Sequence, residues 1–266
     1  MADATPSGIW SSGHAYDRYV GRWSRRVAPV FLSWLAIPDG RSWLDVGCGT
    51  GALSEAIADS RSPTSITGVE PSEGFLETAR HALEGRAGLH RGTAAALPLE
   101  DSAVDVVVSG LVLNFVPDAV AALLEMARVS KHGGCVAAYV WDYGERMELV
   151  RYFWDAALAL DPDAASVAES YRFALCNPGA LRGAFTAASL RAVEVTAIDI
   201  ATEFAGFDDF WDPFLGGQGP APSYLVALDE SHRNALRERL LSTLPIASDG
   251  SISLVARAWA VRGTVG

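Results

Sequence analysis

The chain has 266 residues, of which 50% are hydrophobic and 20% are charged, a composition typical of a globular protein with a large buried core. A formal net charge of −11 argues against nucleic acid as a partner, because an acidic surface repels phosphate backbones. The three cysteines show no CxxC or Cys/His spacing, which argues against a metal site or a disulfide framework and suits a reducing cytoplasm.

The first ten residues, MADATPSGIW, lack the basic and apolar regions of a signal peptide. No apolar run reaches the roughly 18–20 residues that cross a bilayer. We therefore expect a cytoplasmic protein with no membrane partner, and we leave open whether it forms a homodimer.

Strand and helix patterns alternate through the first half of the chain. The predicted strands are residues 42–47, 65–70, 89–93, 104–109 and 135–141. The predicted helices between them are residues 52–58, 73–83 and 118–129. This alternation predicts a doubly wound α/β fold, with a mostly parallel sheet covered by helices on both faces.

The second half has weaker alternation. We predict helices at 145–160, 177–188 and 230–241, strands at 192–201 and 252–261, and a structured loop or lid at 204–223. We interpret residues 1–266 as one domain with a core at about 30–143 and a cap at 10–29. Two lid segments then fall at about 144–177 and 203–250.

A glycine-rich turn, WLDVGCGTGAL, follows the first predicted strand. Its GxGxG spacing differs from the GxGxxG of dinucleotide loops, and the acidic Asp45 beside it is a poor host for a pyrophosphate. A carboxylate there favours a ligand with a cationic group such as an amine. The alternative is a tight strand-to-helix turn that binds nothing.

A second carboxylate, Glu70, ends the second predicted strand. An acidic residue about 20 positions after a glycine fingerprint can accept hydrogen bonds from ribose hydroxyls. The alternative is a capping or turn glutamate before Pro71.

Four segments in order resemble motifs of the class I S-adenosylmethionine-dependent methyltransferases, in their small-molecule branch. They are LDVGCGTG, GVEPS, RGTAAALPLEDSAVDVVVSGLVLNFV and ARVSKHGGCVAAYVWD. The resemblance implies a seven-stranded Rossmann-like sheet with an antiparallel last strand, and S-adenosylmethionine as the methyl donor.

The resemblance also implies a set of cofactor-binding residues. They are Tyr16, Arg22, Asp45, Gly47, Cys48, Gly49, Glu70, Pro71, Ser72, Leu76, Thr93, Ala94, Ala95 and Ser109. Asp45 and the glycines would hold the methionine portion, Glu70 the ribose, and Arg22 the carboxylate. The family's aspartate after the third strand is replaced here by Thr93, whose hydroxyl or following backbone would have to substitute.

The acceptor is expected at the carboxyl edge of the sheet, after the fifth predicted strand. Asp142 and Tyr143 follow the fifth predicted strand, and we predict that they orient or deprotonate the acceptor; the alternative is packing with a turn carboxylate. Aromatic residues at 204–223 favour a small apolar or aromatic acceptor. Two other functions stay open: a non-catalytic S-adenosylmethionine-binding protein, and a nicotinamide-dependent oxidoreductase.

Overall fold

The computed structural model describes residues 17–217 and 219–266, and within them seven strands form one sheet in the order β3-β2-β1-β4-β5-β7-β6. The strands are β1 Ser42–Val46, β2 Ser65–Glu70, β3 Gly88–Arg91, β4 Val104–Gly110, β5 Ser130–Trp141, β6 Arg191–Phe204 and β7 Ile252–Thr264.

Ten α-helices are described around this sheet. They are α1 Arg22–Leu35, α2 Ala52–Ser60, α3 Glu73–Leu83, α4 Ala119–Val129, α5 Glu148–Leu160, α6 Glu169–Arg172, α7 Pro178–Ala187, α8 Phe207–Trp211, α9 Pro220–Ala227 and α10 Glu230–Thr243. None of the described helices is long and apolar enough to cross a membrane.

The first five strands pair in parallel, whereas β7 runs antiparallel to both β5 and β6. This confirms the predicted mostly parallel sheet with an antiparallel last strand. The central strand β4 has the sequence VDVVVSG and is buried along most of its length, as expected for a strand covered on both faces. Its hydrophobic faces anchor the core.

The strand order reverses at β1, which pairs with β2 on one side and β4 on the other. The connections from β1 to β2 and from β3 to β4 therefore leave the sheet in opposite directions. At such a switch point the loops after the strands diverge and open a crevice at their carboxyl ends. The glycine-rich turn after β1 lies at this crevice.

The region 204–223 is helical rather than a loop, so that prediction was wrong. It contains α8, a 3-10 helix over Asp212–Gly216, and α9. Phe207, Phe210, Trp211 and Phe214 recur at positions i, i+3, i+4 and i+7, which is helical spacing. The prolines fall in the first turns of the helices, where a missing N–H costs little.

An aromatic cluster joins α1 to the helices after β6. The Phe204 ring lies 5.4 Å from that of Trp23 in α1 and 5.4 Å from that of Phe210 in α8, centroid to centroid. Phe214 stacks on Phe153 of α5 at 4.6 Å. Such contacts add to the burial of large apolar surfaces, so the cluster fixes these helices against the sheet.

Candidate functional site

A cavity of about 610 Å³ opens at the carboxyl ends of the central strands. This volume is in the range of small-molecule sites. The predicted residues that line it are Asp45, Gly47, Cys48, Gly49, Glu70, Pro71, Ser72, Thr93, Ala94 and Ala95. Ten positions from three separate sequence segments therefore meet in one place.

The glycine turn needs glycine for two reasons. Gly47 has φ +73°, and a Cβ built on it would lie 2.6 Å from both γ-carbons of Val112. The Gly47 and Cys48 N–H groups donate to the Val69 carbonyl of β2 at 2.7 and 3.1 Å. A side chain at position 47 would thus collide with the segment after β4. Because Gly47 has no side chain, its backbone can lie at the cavity.

Glu70 joins the two loops that frame the cavity. Its Oε2 accepts from the Gly49 N–H at 3.2 Å, and its Oε1 accepts from the Ser72 N–H at 3.0 Å. Its side chain is 7% exposed, and burial raises its pKa despite these two hydrogen bonds. The predicted turn role is therefore present, and the carboxylate also faces the cavity.

Asp45 is a buried carboxylate with one satisfied oxygen. Its Oδ2 accepts from the Ser54 hydroxyl at 2.7 Å, while none of the described residues gives Oδ1 a hydrogen bond. Burial raises the pKa of Asp45 to about 7, and the nearby Glu70 adds to this. An unpaired buried carboxylate oxygen is costly unless a donor or cation reaches it. The site therefore fits a ligand with an ammonium group.

The structure places three predicted cofactor residues away from the cavity wall. Leu76 of α3 is fully buried, while Phe75, one residue earlier, lines the cavity. The Ser109 hydroxyl donates to the Val46 carbonyl at 2.9 Å and ties β4 to β1. Arg22 is the third and is described next. A further predicted residue, Tyr16, lies outside the described residues.

Arg22, the third of these residues, pairs within the protein. Its guanidinium binds Asp209 of α8 at 2.8 Å and lies over the rings of Trp23 and Phe204, at 4.4 and 4.8 Å from their centroids. The predicted partner was a cofactor carboxylate. In this structure the side-chain carboxylate of Asp209 occupies that position on the guanidinium.

Asp142 and Tyr143 do not line the cavity either. The Asp142 Oδ1 accepts from the Glu145 N–H at 3.0 Å and so closes the turn before α5, which is the turn role that the sequence left as the alternative. The Tyr143 ring lies 5.6 Å from that of Phe173, which lies 5.0 Å from that of Phe115 on the cavity wall. Tyr143 is thus linked to the cavity wall through the Phe173 ring.

Sequence reasoning missed Ser24 of α1 and Tyr139 of β5, which both line the cavity. The position of Tyr139, two residues before the end of β5, could have indicated it, because the carboxyl ends of parallel strands border such a crevice. No local pattern could have indicated Ser24, since only packing brings α1 over the sheet edge.

Comparisons with known proteins agree with this geometry. Residues 44–138 match the methyltransferase domain family. This segment of the chain is similar to methyltransferase domains. A demethylmenaquinone methyltransferase of Staphylococcus aureus is 38% identical over 117 residues, covering 43% of this chain and 47% of that protein. The chain thus matches about half the length of these curated relatives.

Two solved structures share the fold of this chain. The YcgJ protein of Bacillus subtilis has a TM-score of 0.58 at 18% identity, covering 89% of this chain and 97% of that one. A phosphoethanolamine N-methyltransferase of Haemonchus contortus, solved with S-adenosylhomocysteine, has a TM-score of 0.57 at 15% identity, covering 98% and 58%. At these identities the likeness concerns the fold alone.

Proposed function

We propose that this protein transfers a methyl group from S-adenosylmethionine to a small, apolar or aromatic acceptor. The observation that carries the proposal is the pair of buried carboxylates in one cavity, Asp45 with an unpartnered oxygen and Glu70 across the glycine turn. S-adenosylmethionine presents an amino group and a ribose, which match these two carboxylates.

Each part of S-adenosylmethionine can be matched to residues that line the cavity. Asp45 would hold the amino group, because a cation satisfies its buried oxygen. Glu70 would accept from the ribose hydroxyls while keeping its two backbone hydrogen bonds. The loop at Thr93, Ala94 and Ala95 would flank the adenine.

When bound, S-adenosylmethionine supplies an electrophilic methyl group on a sulfonium, which an acceptor attacks in line. The protein contributes by holding both partners aligned, and alignment alone can supply much of the rate. Among the described residues no group of three or more His, Cys, Asp or Glu side chains could hold a metal ion.

The walls of the cavity support an apolar acceptor. Leu111, Val112 and Phe115 follow β4 and line it, and Phe75 lines it from α3. The relatives in Staphylococcus aureus are named for demethylmenaquinone, so a naphthoquinol is the first acceptor to test. A cytoplasmic location stays a prediction, and a homodimer stays open.

Calorimetric titration with S-adenosylhomocysteine tests the cofactor, and an assay of methyl transfer from labelled S-adenosylmethionine to 1,4-naphthoquinol and other small phenols tests the reaction. We expect saturable binding and labelled product. Binding without turnover across a broad panel would favour a non-catalytic binding protein. Binding of NAD with none of S-adenosylhomocysteine would favour the oxidoreductase.

A further inference from the structure

The cavity has two chemically different ends. Its charged lining residues, Asp45, Glu70, Glu73 and Arg91, lie at or just after β1, β2 and β3. Around the ends of β4 and β5 and along α1, the described lining residues are neutral. Neighbouring strands are about 4.8 Å apart, so β5 lies roughly 10 Å from β1 and roughly 19 Å from β3 in this sheet order.

Tyr139 is the polar residue that β5 contributes to the neutral end. Its side chain is 2% exposed, and its ring lies 4.7 Å from that of Phe31 in α1, centroid to centroid. Packing against a helix on one side and the sheet on the other holds the phenol in one position. It is therefore a preorganised group at the cavity wall.

Gly110 makes room for the Tyr139 hydroxyl. A Cβ built on Gly110 would lie 2.6 Å from Tyr139 Oη and 2.8 Å from its Cζ. Gly110 also lines the cavity and ends β4. Glycine at this position thus lets a phenol on β5 reach across the end of β4, which is next to the strand that carries Asp45.

The other lining residues at this end of the cavity are apolar or hydroxyl-bearing. Leu111, Val112 and Phe115 provide apolar surface, and Ser24 of α1 adds a hydroxyl, which donates to the Gly21 carbonyl at 2.7 Å. With no charged side chain among the described residues at this end, a charged acceptor would lose hydration without compensation.

We propose that Tyr139 binds the methyl acceptor by a hydrogen bond from its hydroxyl to an oxygen atom of a neutral, apolar acceptor, and so selects oxygen-bearing acceptors such as phenols and quinols. This inference rests on the proposed function, because the cofactor would fill the β1–β2–β3 end and leave the β4–β5 end to the acceptor. It assigns the role predicted for Tyr143 to the tyrosine four residues earlier.

The test combines a change in the protein with a change in the ligand. Kd values are measured by calorimetry for 1-naphthol and for naphthalene, which lacks the oxygen, on wild type, Tyr139→Phe and Tyr143→Phe, each with and without S-adenosylhomocysteine. Tyr143→Phe is the matched control, since it removes the same hydroxyl from a buried tyrosine outside the cavity wall.

We expect wild type and Tyr143→Phe to bind 1-naphthol more tightly than naphthalene. In Tyr139→Phe the ratio of the two Kd values should fall roughly 2- to 12-fold, which is the effect of one neutral hydrogen bond. Gly110→Ala, which displaces the Tyr139 hydroxyl, should reduce the preference as well. Circular dichroism and Tm identify any variant that fails to fold.

Equal preference in wild type and Tyr139→Phe would overturn the assignment, and so would failure of 1-naphthol to bind wild type. If S-adenosylhomocysteine does not bind, the proposed function fails, while the titrations without it still report on Tyr139. If S-adenosylhomocysteine binds and the naphthol preference does not depend on Tyr139, this inference fails alone.

Discussion

The Glu70 carboxylate accepts a hydrogen bond from the Gly49 N–H at 3.2 Å, so the acidic end of β2 is fastened to the glycine turn after β1. These two residues are 21 positions apart in the chain and adjacent at the switch point of the sheet. The contact holds the turn in place and aims a carboxylate into the cavity. A change at Glu70 is therefore expected to alter both the turn and the cavity lining.

Replacing Glu70 with Gln tests the ribose assignment. The amide keeps the shape but loses the charge, and a hydrogen bond to a charged group contributes roughly 1.5–3 kcal/mol. We expect calorimetry to show S-adenosylhomocysteine binding weakened by about 10- to 100-fold in Glu70→Gln. Glu77→Gln, at an exposed position of α3 outside the cavity lining, is the control and should bind as wild type does. Unchanged affinity in folded Glu70→Gln would reject the assignment.

Replacing Gly47 with Ala tests the need for glycine in the turn. The residue has φ +73°, and the new Cβ would lie 2.6 Å from the γ-carbons of Val112. Gly85→Ala is a matched control, because Gly85 has φ +80° with open space around it. Left-handed strain costs of order 1–3 kcal/mol in both, so the extra loss in Gly47→Ala reports the collision.

Urea unfolding of the two variants measures this difference. We expect Gly47→Ala to be less stable than Gly85→Ala by about 1–3 kcal/mol, and to lose S-adenosylhomocysteine binding. Equal unfolding free energies would show that Val112 yields without cost.

The ionisation of Asp45 should make stability depend on pH. Its folded-state pKa is raised from 3.8 to about 7, so between these values the folded protein holds a proton that the unfolded chain has lost. The stability from Asp45 is complete below pH 4 and is lost as pH rises to about 7. Urea unfolding at pH 5 and pH 7.5 measures this loss. Wild type should lose more unfolding free energy between pH 5 and pH 7.5 than Asp45→Asn does, because the asparagine does not ionise.

The same carboxylate should release a proton when an ammonium group binds. A nearby cation lowers the pKa of Asp45, so S-adenosylhomocysteine binding near pH 6 should expel protons. Calorimetry in buffers with different ionisation enthalpies counts these protons. Proton release that is the same in Asp45→Asn would assign it to another group.

Variants of Arg22 and Asp209 test whether Arg22 has a structural role or binds the ligand. Both side chains are partly exposed, so the pair contributes at most about 1 kcal/mol. We expect Arg22→Gln and Asp209→Asn to lower the free energy of unfolding by similar amounts. S-adenosylhomocysteine affinity lowered in Arg22→Gln alone would show that the guanidinium reaches the cofactor, as the sequence predicts. Equal affinity in both variants would leave it a structural residue.

The fold and the residues at the charged end of the cavity could be predicted from the sequence because their signals are local. The apolar residues of VDVVVSG predict a buried strand, and the glycines between Asp45 and Gly51 predict a turn with positive φ angles. Carboxyl ends of parallel strands meet at one edge, so Asp45, Glu70 and the Thr93 loop were expected together.

The sequence by itself thus determined the parallel sheet, the position of the crevice and the residues around its charged end. Only the tertiary structure decided that Tyr139 and Ser24 line the cavity and that Arg22 pairs with Asp209. The reason is physical: a turn or a strand end is set by neighbours in the chain, whereas these contacts depend on how α1 and the helices after β6 pack across the sheet.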